Sequence, residues 1–269
     1  MGEAIVFTSG KGGVGKTTTI ANIGTGLAQL DKKVVMLDTD MGLRNLDVVM
    51  GLEDRINYNL LDVLENRCRL NQALIKDKRF ENLYMIPASL KVKPMGDYEE
   101  AFKTLINHLK NEFDFCLIDC PAGMDGGFHF AVSAVDRAVV VTTPHISAVR
   151  DAGRILYLLE NKHISKIDLI INEYDEKMVR KNELLSKEDI EELLGMHALG
   201  IVPRDQKIII SQNQGIPVVS MKAKSSKFFL ELSQKMNRVE IVPIDLSENS
   251  NSSEILRFFR RKGAKVDEA

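Results

Sequence analysis

The sequence predicts an α/β fold, a mostly parallel, twisted sheet with helices on both faces. Three observations predict it. Short, strongly apolar runs recur along the chain; segments with helical spacing of apolar residues separate them; and a glycine-rich phosphate-binding pattern sits between the first run and the first helical segment. Strands apolar on both faces, each followed by a helix, form parallel sheets that are covered on both sides.

The first strand, 4–7, reads Ala-Ile-Val-Phe, and the first helix is expected over 17–30. Between them lies Ser-Gly-Lys-Gly-Gly-Val-Gly-Lys-Thr, in which Gly10, Gly15, Lys16 and Thr17 fit G-x-x-x-x-G-K-[ST], the P-loop. Backbone amides from Gly10 through Lys11, Gly12, Gly13, Val14 and Gly15 to Thr17 and Thr18 are expected to close around phosphates. The positive end of the helix dipole adds to their pull. Lys16 then meets the β- and γ-phosphates, and the Thr17 hydroxyl holds Mg²⁺. The chain binds a nucleoside triphosphate on this reading.

The second strand, 34–37, runs into Asp38-Thr39-Asp40, and 115–118 runs into Asp119. Carboxylates at such strand ends suit phosphoryl chemistry. One orients an attacking water, and another holds Mg²⁺, here Asp119 through a water molecule. The remaining strands are expected at 83–86, 138–141, 168–171 and 199–202, with helices at 98–111, 148–161, 187–194 and 227–235. In open sheets of this kind ligands bind beyond the carboxyl ends of the strands. The P-loop and the aspartates all fall at that edge.

Composition narrows the class. With 269 residues, 44% of them apolar, the chain is long enough for one sizeable α/β core. A net charge of −2 gives no overall basic field for nucleic acid. Cys68, Cys116 and Cys120 form no C-x-x-C pair and read as reduced thiols in a cytoplasmic protein, with Cys116 and Cys120 as buried fillers. No apolar run approaches the ~18 residues of a membrane-spanning helix.

The early lysine, Lys11, in Lys-Gly-Gly-x-Gly-Lys-Thr resembles the deviant Walker A box of the MinD/ParA family of P-loop ATPases. The resemblance runs from residue 2 to about 240 and is closest to the MinD members. Gly42-Leu43-Arg44-Asn45-Leu46-Asp47, the stretch Asn-Gln-Ala-Leu-Ile-Lys-Asp-Lys-Arg over 71–79, and Ile-Ser-Ala-Val-Arg-Asp over 146–151 carry it. It implies that ATP with Mg²⁺ is the ligand, and that Lys11 crosses a dimer interface to touch the other subunit's phosphates. It further implies that Asp40 is the hydrolytic aspartate beside Asp38, and that Gly123 senses the γ-phosphate. Asn172 reads the adenine edge, while Pro203 and Asp205 close the base pocket. Arg150 and Asp151 lie on the helix that, in relatives, docks the division inhibitor MinC and the activator MinE. His145, Gly153 and Ile216 depart from the family pattern at positions usually acidic, Asp and Glu.

The end of the chain has a different character. Residues 245–253 are a polar linker after a catalytic domain spanning 1–244, 254–263 an amphipathic segment, and 264–269 a disordered end. At about 100° per residue, Ile255, Leu256, Phe258 and Phe259 share an arc of about 160°, with Lys262 within it at the end of the helix, placed to snorkel. Arg257, Arg260 and Arg261 take the opposite face. A short basic helix bearing phenylalanines on a tether reads as an anchor for an anionic membrane surface, which matches the membrane-targeting tail of the family.

An ATP-switched homodimer on the inner face of the cell membrane, placing the division site, is therefore the expected function. A flagellar-number ATPase of the FlhG type shares the P-loop and tail, but the 42–47 and 71–79 stretches argue against it. A ParA-type DNA-partitioning ATPase would need a basic patch and leaves the tail unexplained. Iron–sulfur carriage would need suitably spaced cysteines.

Overall fold

The computed structural model describes residues 1–237. The linker, the amphipathic segment with the residues expected to face a membrane, the end at 264–269 and the domain boundary at 244 lie outside the described residues. The chain begins β1 (Glu3–Thr8), α1 (Lys16–Gln29), β2 (Val34–Asp38), then the short α2 (Leu46–Met50), α3 (Leu60–Leu64) and α4 (Leu70–Ala73). Next come β3 (Ile75–Lys76), β4 (Leu83–Ile86), α5 (Glu99–Glu112), β5 (Phe115–Asp119), α6 (Gly126–Val132), β6 (Arg137–Thr142) and α7 (Ile146–Asn161). The described part closes with β7 (Ile167–Tyr174), α8 (Glu176–Arg180), α9 (Lys187–Leu194), β8 (Ala198–Pro203), α10 (Gln206–Asn213) and α11 (Lys224–Asn237).

The strands form one sheet in the order β3-β4-β2-β5-β1-β6-β7-β8. Every pairing is parallel except that of the two-residue edge strand β3 with β4. Each anticipated strand and long helix is present. Most of the additional elements are too short for a helical or alternating period to show itself in the sequence, and α10 carries its three isoleucines in succession rather than at helical spacing.

Alternation along β1 explains the two-sided core. Ala4 and Val6 face one apolar cluster, against α5, α6 and α7, while Ile5 and Phe7 face another, against α1 and α11. All four are fully buried. Burying both faces of so apolar a strand fixes its register, because a one-residue slip would exchange the two clusters.

Strand order positions the chemistry. β1, β5 and β2 are adjacent, with Phe7 paired to Asp119 and Asp119 paired to Asp38. The P-loop follows β1, so three consecutive strand ends bring the phosphate cradle and both aspartates side by side.

Candidate nucleotide site

The P-loop turns through left-handed backbone at Gly13 (φ 78°) and at Gly15 (φ 87°), the residue that caps α1. A side chain at either position would strain the loop. At Gly12, Gly13 and Gly123 the space where a Cβ would stand is open or nearly so, which leaves the amides accessible to a ligand. Gly10 is different. A Cβ there would lie 2.4 Å from the Asp151 carbonyl oxygen, so the start of the loop rests directly on the backbone of α7. Lys11 Nζ also donates to α7, to Ser147 Oγ at 3.1 Å.

Lys16 opens α1 and is almost wholly buried, facing the carboxylates of Asp40 and Asp119. The Asp119 carboxyl accepts from the Thr17 hydroxyl. Its Oδ1 is buried without a partner. Burial first, and the neighbouring Asp38 second, push its pKa up to about 8. An orphaned carboxylate oxygen beside a threonine hydroxyl is a fitting half-shell for a hard cation. Among the described residues no three acidic, histidine or cysteine side chains converge on a metal, so a Mg²⁺ held by Thr17 and Asp119 would rely on the nucleotide and water for its other ligands.

Asp38 is fully buried and organises the segment that follows it. Its Oδ1 accepts from the Asp40 amide at 2.9 Å, and its Oδ2 from those of Asn45 and Leu46, both at 3.2 Å. Desolvation raises its pKa to about 6. Its oxygens therefore hold the turn and the start of α2 rather than project into the cleft. The 42–47 stretch supplies the rest of that turn. Gly42 (φ 92°) and Arg44 (φ 46°) reverse the chain, Leu46 enters the core, and Arg44 Nε pairs with Asp47 Oδ2 at 2.9 Å. Asp40 stands free of such duties at the cleft, its pKa raised by partial burial against the opposing pull of Lys16.

A cleft of about 590 Å³ opens above these groups, a size suited to a nucleotide. Its outer walls are α2 with the residue before it, through Asn45, Val48 and Val49, and α10, through Ile208, Ile209 and Gln212. Asn172 and Pro203 line it as the sequence suggests, but Asn172 Nδ2 braces the P-loop by donating to the Val14 carbonyl at 2.9 Å. Its Oδ1 stays buried and unpaired, available to a donor on a base. Asp205 lines the cleft while capping α10 through the Lys207 amide and binding Ser225 N and Oγ. Those bonds outweigh burial and lower its pKa. Gln212, which sequence reasoning missed, donates to Thr18 Oγ1 and so ties α10 to the phosphate end. A larger concavity of about 790 Å³ lies at the opposite edge of the sheet. Its charged groups pair with one another, as in Arg137 with Asp168 and Lys110 with Asp136, and it holds none of the residues above.

On α7, Arg150 is exposed and Asp151 pairs with Arg154 at 3.3 Å. His145 precedes the helix without a side-chain cap. Gly153 has room for a side chain, whose Cβ would meet only Leu194 Cδ2, at 3.6 Å. Cys116 and Cys120 are buried free thiols, and burial pushes both up to about 12.

Residues 2–171 match the AAA domain family. Over 97% of this chain and 98% of the other, 46% of residues are identical to the septum site-determining protein MinD of Synechocystis. The chain belongs to the MinD family. This is a family of P-loop ATPases of septum-site determination, and Mg²⁺ and ATP are the cofactors its site is built for. MinD of Aquifex aeolicus, solved as a MinC:MinD complex, superposes with a TM-score of 0.82 at 41% identity, covering 90% of this chain and 98% of that one. MinD of Pyrococcus horikoshii, solved with Mg-ADP, gives 0.79 at 30% identity, covering 88% and 97%.

Proposed function

We propose that this member of the MinD family is an ATP-driven membrane switch. ATP binding joins two copies, the paired tails seat them on the membrane, a MinC-type inhibitor docks there, and hydrolysis releases all of it. The observation that carries this reading is the division of labour between the two P-loop lysines. Lys16 is buried against the aspartates, whereas Lys11 is exposed and reaches outward to Ser147. A lysine so placed is suited to phosphates held by a second copy.

Exposed apolar side chains at the mouth of the cleft support the same partner. Leu43, Val48 and Ile209 are 68%, 49% and 62% exposed, an unfavourable display unless another surface covers it. Within one subunit, the P-loop amides and Lys16 bind and orient the triphosphate. Mg²⁺ supplies charge neutralisation at the transferring phosphoryl group. Thr17 would hold that ion directly and Asp119 through a water molecule, and Asp40 would place the attacking water in line with the γ-phosphate. No described helix is long and apolar enough to cross a membrane, so membrane residence rests on residues 254–263. The Aquifex relative's complex with MinC supports a MinC-type partner, and α7 with Arg150 and Asp151 is the proposed docking surface for it and for a MinE-type activator.

Co-sedimentation with anionic liposomes tests the switch, using the full chain and a chain ending at Ser252, with ATP, with ADP and without nucleotide. Retention of the full chain with ATP alone is expected. Retention in every condition, or of the truncated chain, would sink the proposal.

A further inference from the structure

The stretch 71–79 takes no part in phosphate chemistry, yet it ends in a cation at an unusual place. α2 and α10 pack together and both line the outer cleft, and their carboxyl ends converge. Gly51 follows α2 at φ 64°, and Gly215 follows α10 at φ 63°. A Cβ on Gly215 would lie 2.5 Å from Gly51 Cα, and one on Gly51 would lie 2.7 Å from the Gly215 carbonyl oxygen. Two helix ends in backbone contact bring together orphan carbonyls and two negative dipole ends.

Arg79 answers both. Its Nη2 donates to the Met50 carbonyl at 2.9 Å, and its Nη1 to the Gly215 carbonyl at 3.1 Å. Asp77, itself 5% exposed, fixes the guanidinium through Nε at 3.1 Å and Nη2 at 2.6 Å. The same carboxylate accepts from the amides of Arg79 and Phe80, at 2.7 and 3.2 Å. Lys78 Nζ adds a bond to the Gly51 carbonyl. A planar fork held at a set angle spans two carbonyls at a defined separation, which a lysine's point charge does not do.

We propose that Arg79, oriented by Asp77, is a positioning residue that sets the gap between α2 and α10 and thereby the fit of the nucleoside end of the cleft. The phosphate cradle is built on β1 and α1, and among the described residues α10 hydrogen-bonds to it only from Gln212, to Thr18 Oγ1. This inference rests on the reading that an adenine nucleotide fills the cleft.

The test is calorimetric binding of Mg-ADP, beside kcat at saturating ATP and inhibition by inorganic tripolyphosphate, a probe lacking the nucleoside. Arg79→Ala and Arg79→Lys should each weaken ADP about tenfold, with kcat and the tripolyphosphate inhibition constant within about twofold of the parent. Gly215→Ala keeps Arg79 and separates the helices instead, so it should reproduce the pattern even where Arg79→Ala folds poorly. Unchanged ADP affinity in Arg79→Lys and Gly215→Ala would overturn the proposal, as would an equal loss for ADP and tripolyphosphate. A parent chain that bound no Mg-ADP would remove the nucleotide reading itself, a separate failure visible before any variant is made.

Discussion

Asp119 shows how a site can be built at the expense of the empty protein's stability. Its carboxyl ionises near 4 in an unfolded chain, but burial beside Asp38 raises it to about 8 when folded. Between those values the folded state holds a proton that the unfolded state has lost. Stability of the nucleotide-free protein must therefore fall as pH rises from about 4 to about 8, and level off above. Asp38 adds to the same slope between about 4 and 6. Mg-nucleotide needs the ionised form, so its binding at pH 7 should release a proton, measurable by calorimetry in buffers of different ionisation enthalpy. Asp119→Asn should raise the melting temperature of the nucleotide-free protein at pH 7, by about 2–4 °C for each kcal/mol regained. It should also lose Mg²⁺-dependent nucleotide affinity. Lower melting of that variant, or binding without proton release, would contradict this account. Asp40→Ala, by contrast, should keep nucleotide binding and lose about 10²-fold or more in turnover, since it would remove only the group that places the water; near-normal turnover would take Asp40 out of that role. The placement of Asp119 was legible in the sequence as a strand-terminal aspartate beside a P-loop, and Asp40 was marked by the family resemblance. Asp38 shows the limit of that logic. Its neighbour relation to Asp40 was legible, but three amides converging on it depend on a turn in which Arg44, as well as Gly42, takes left-handed backbone, and an arginine there has no local signal to announce it.

The long elements could be read from the sequence, and the short ones could not, for a physical reason. β1, β2 and β5 are buried on both faces and read as unbroken apolar runs, and α5 and α7 expose one face and so show a period. α2 has five residues, too few turns to display an apolar stripe, and α10 carries Ile208, Ile209 and Ile210 in succession around the helix rather than on one face, yet they make the cleft walls. Gln212 and Arg79 were invisible as site residues because their roles come from the convergence of elements far apart in sequence. The contact of the P-loop with α7 is of the same kind and has a measurable consequence. Gly10→Ala forces a Cβ against the Asp151 carbonyl, and should cost about 1–3 kcal/mol in urea unfolding because backbone on both sides has nowhere to move. Gly153→Asp, on the same helix but with only an ordinary contact to Leu194 Cδ2 for the added Cβ, should stay within about 0.5 kcal/mol of the parent. Equal effects of the two would mean that the loop does not lean on α7. The contrast also bears on partner docking, because a ligand that shifts the P-loop must push on the helix that carries Arg150 and Asp151.

On the proposed reading, a site at one sheet edge is coupled to a segment beyond residue 237. The energetics of that segment explain why the coupling needs two copies. Each basic side chain near an anionic surface contributes about 1 kcal/mol. Partial insertion of Ile255, Leu256, Phe258 and Phe259 contributes roughly 1 kcal/mol each, below the full-burial figure. Ordering about ten residues costs about 1 kcal/mol apiece for the backbone alone. These terms nearly cancel, so a single tail is a marginal anchor, and a second tail in the same dimer converts weak binding into firm attachment through effective concentration. Membrane affinity then reports dimerisation rather than nucleotide as such. Lys11→Ala should therefore still bind Mg-ATP yet lose both the dimer, seen by light scattering, and liposome retention, by about 10²-fold. Fusing that variant to an unrelated two-stranded coiled coil should restore retention without restoring hydrolysis, and make it indifferent to nucleotide. A fused dimer that stayed in solution would mean that ATP acts on the tail by some route other than valency. Retention of unfused Lys11→Ala would mean that one tail suffices, and that the crossing lysine has no part in membrane binding.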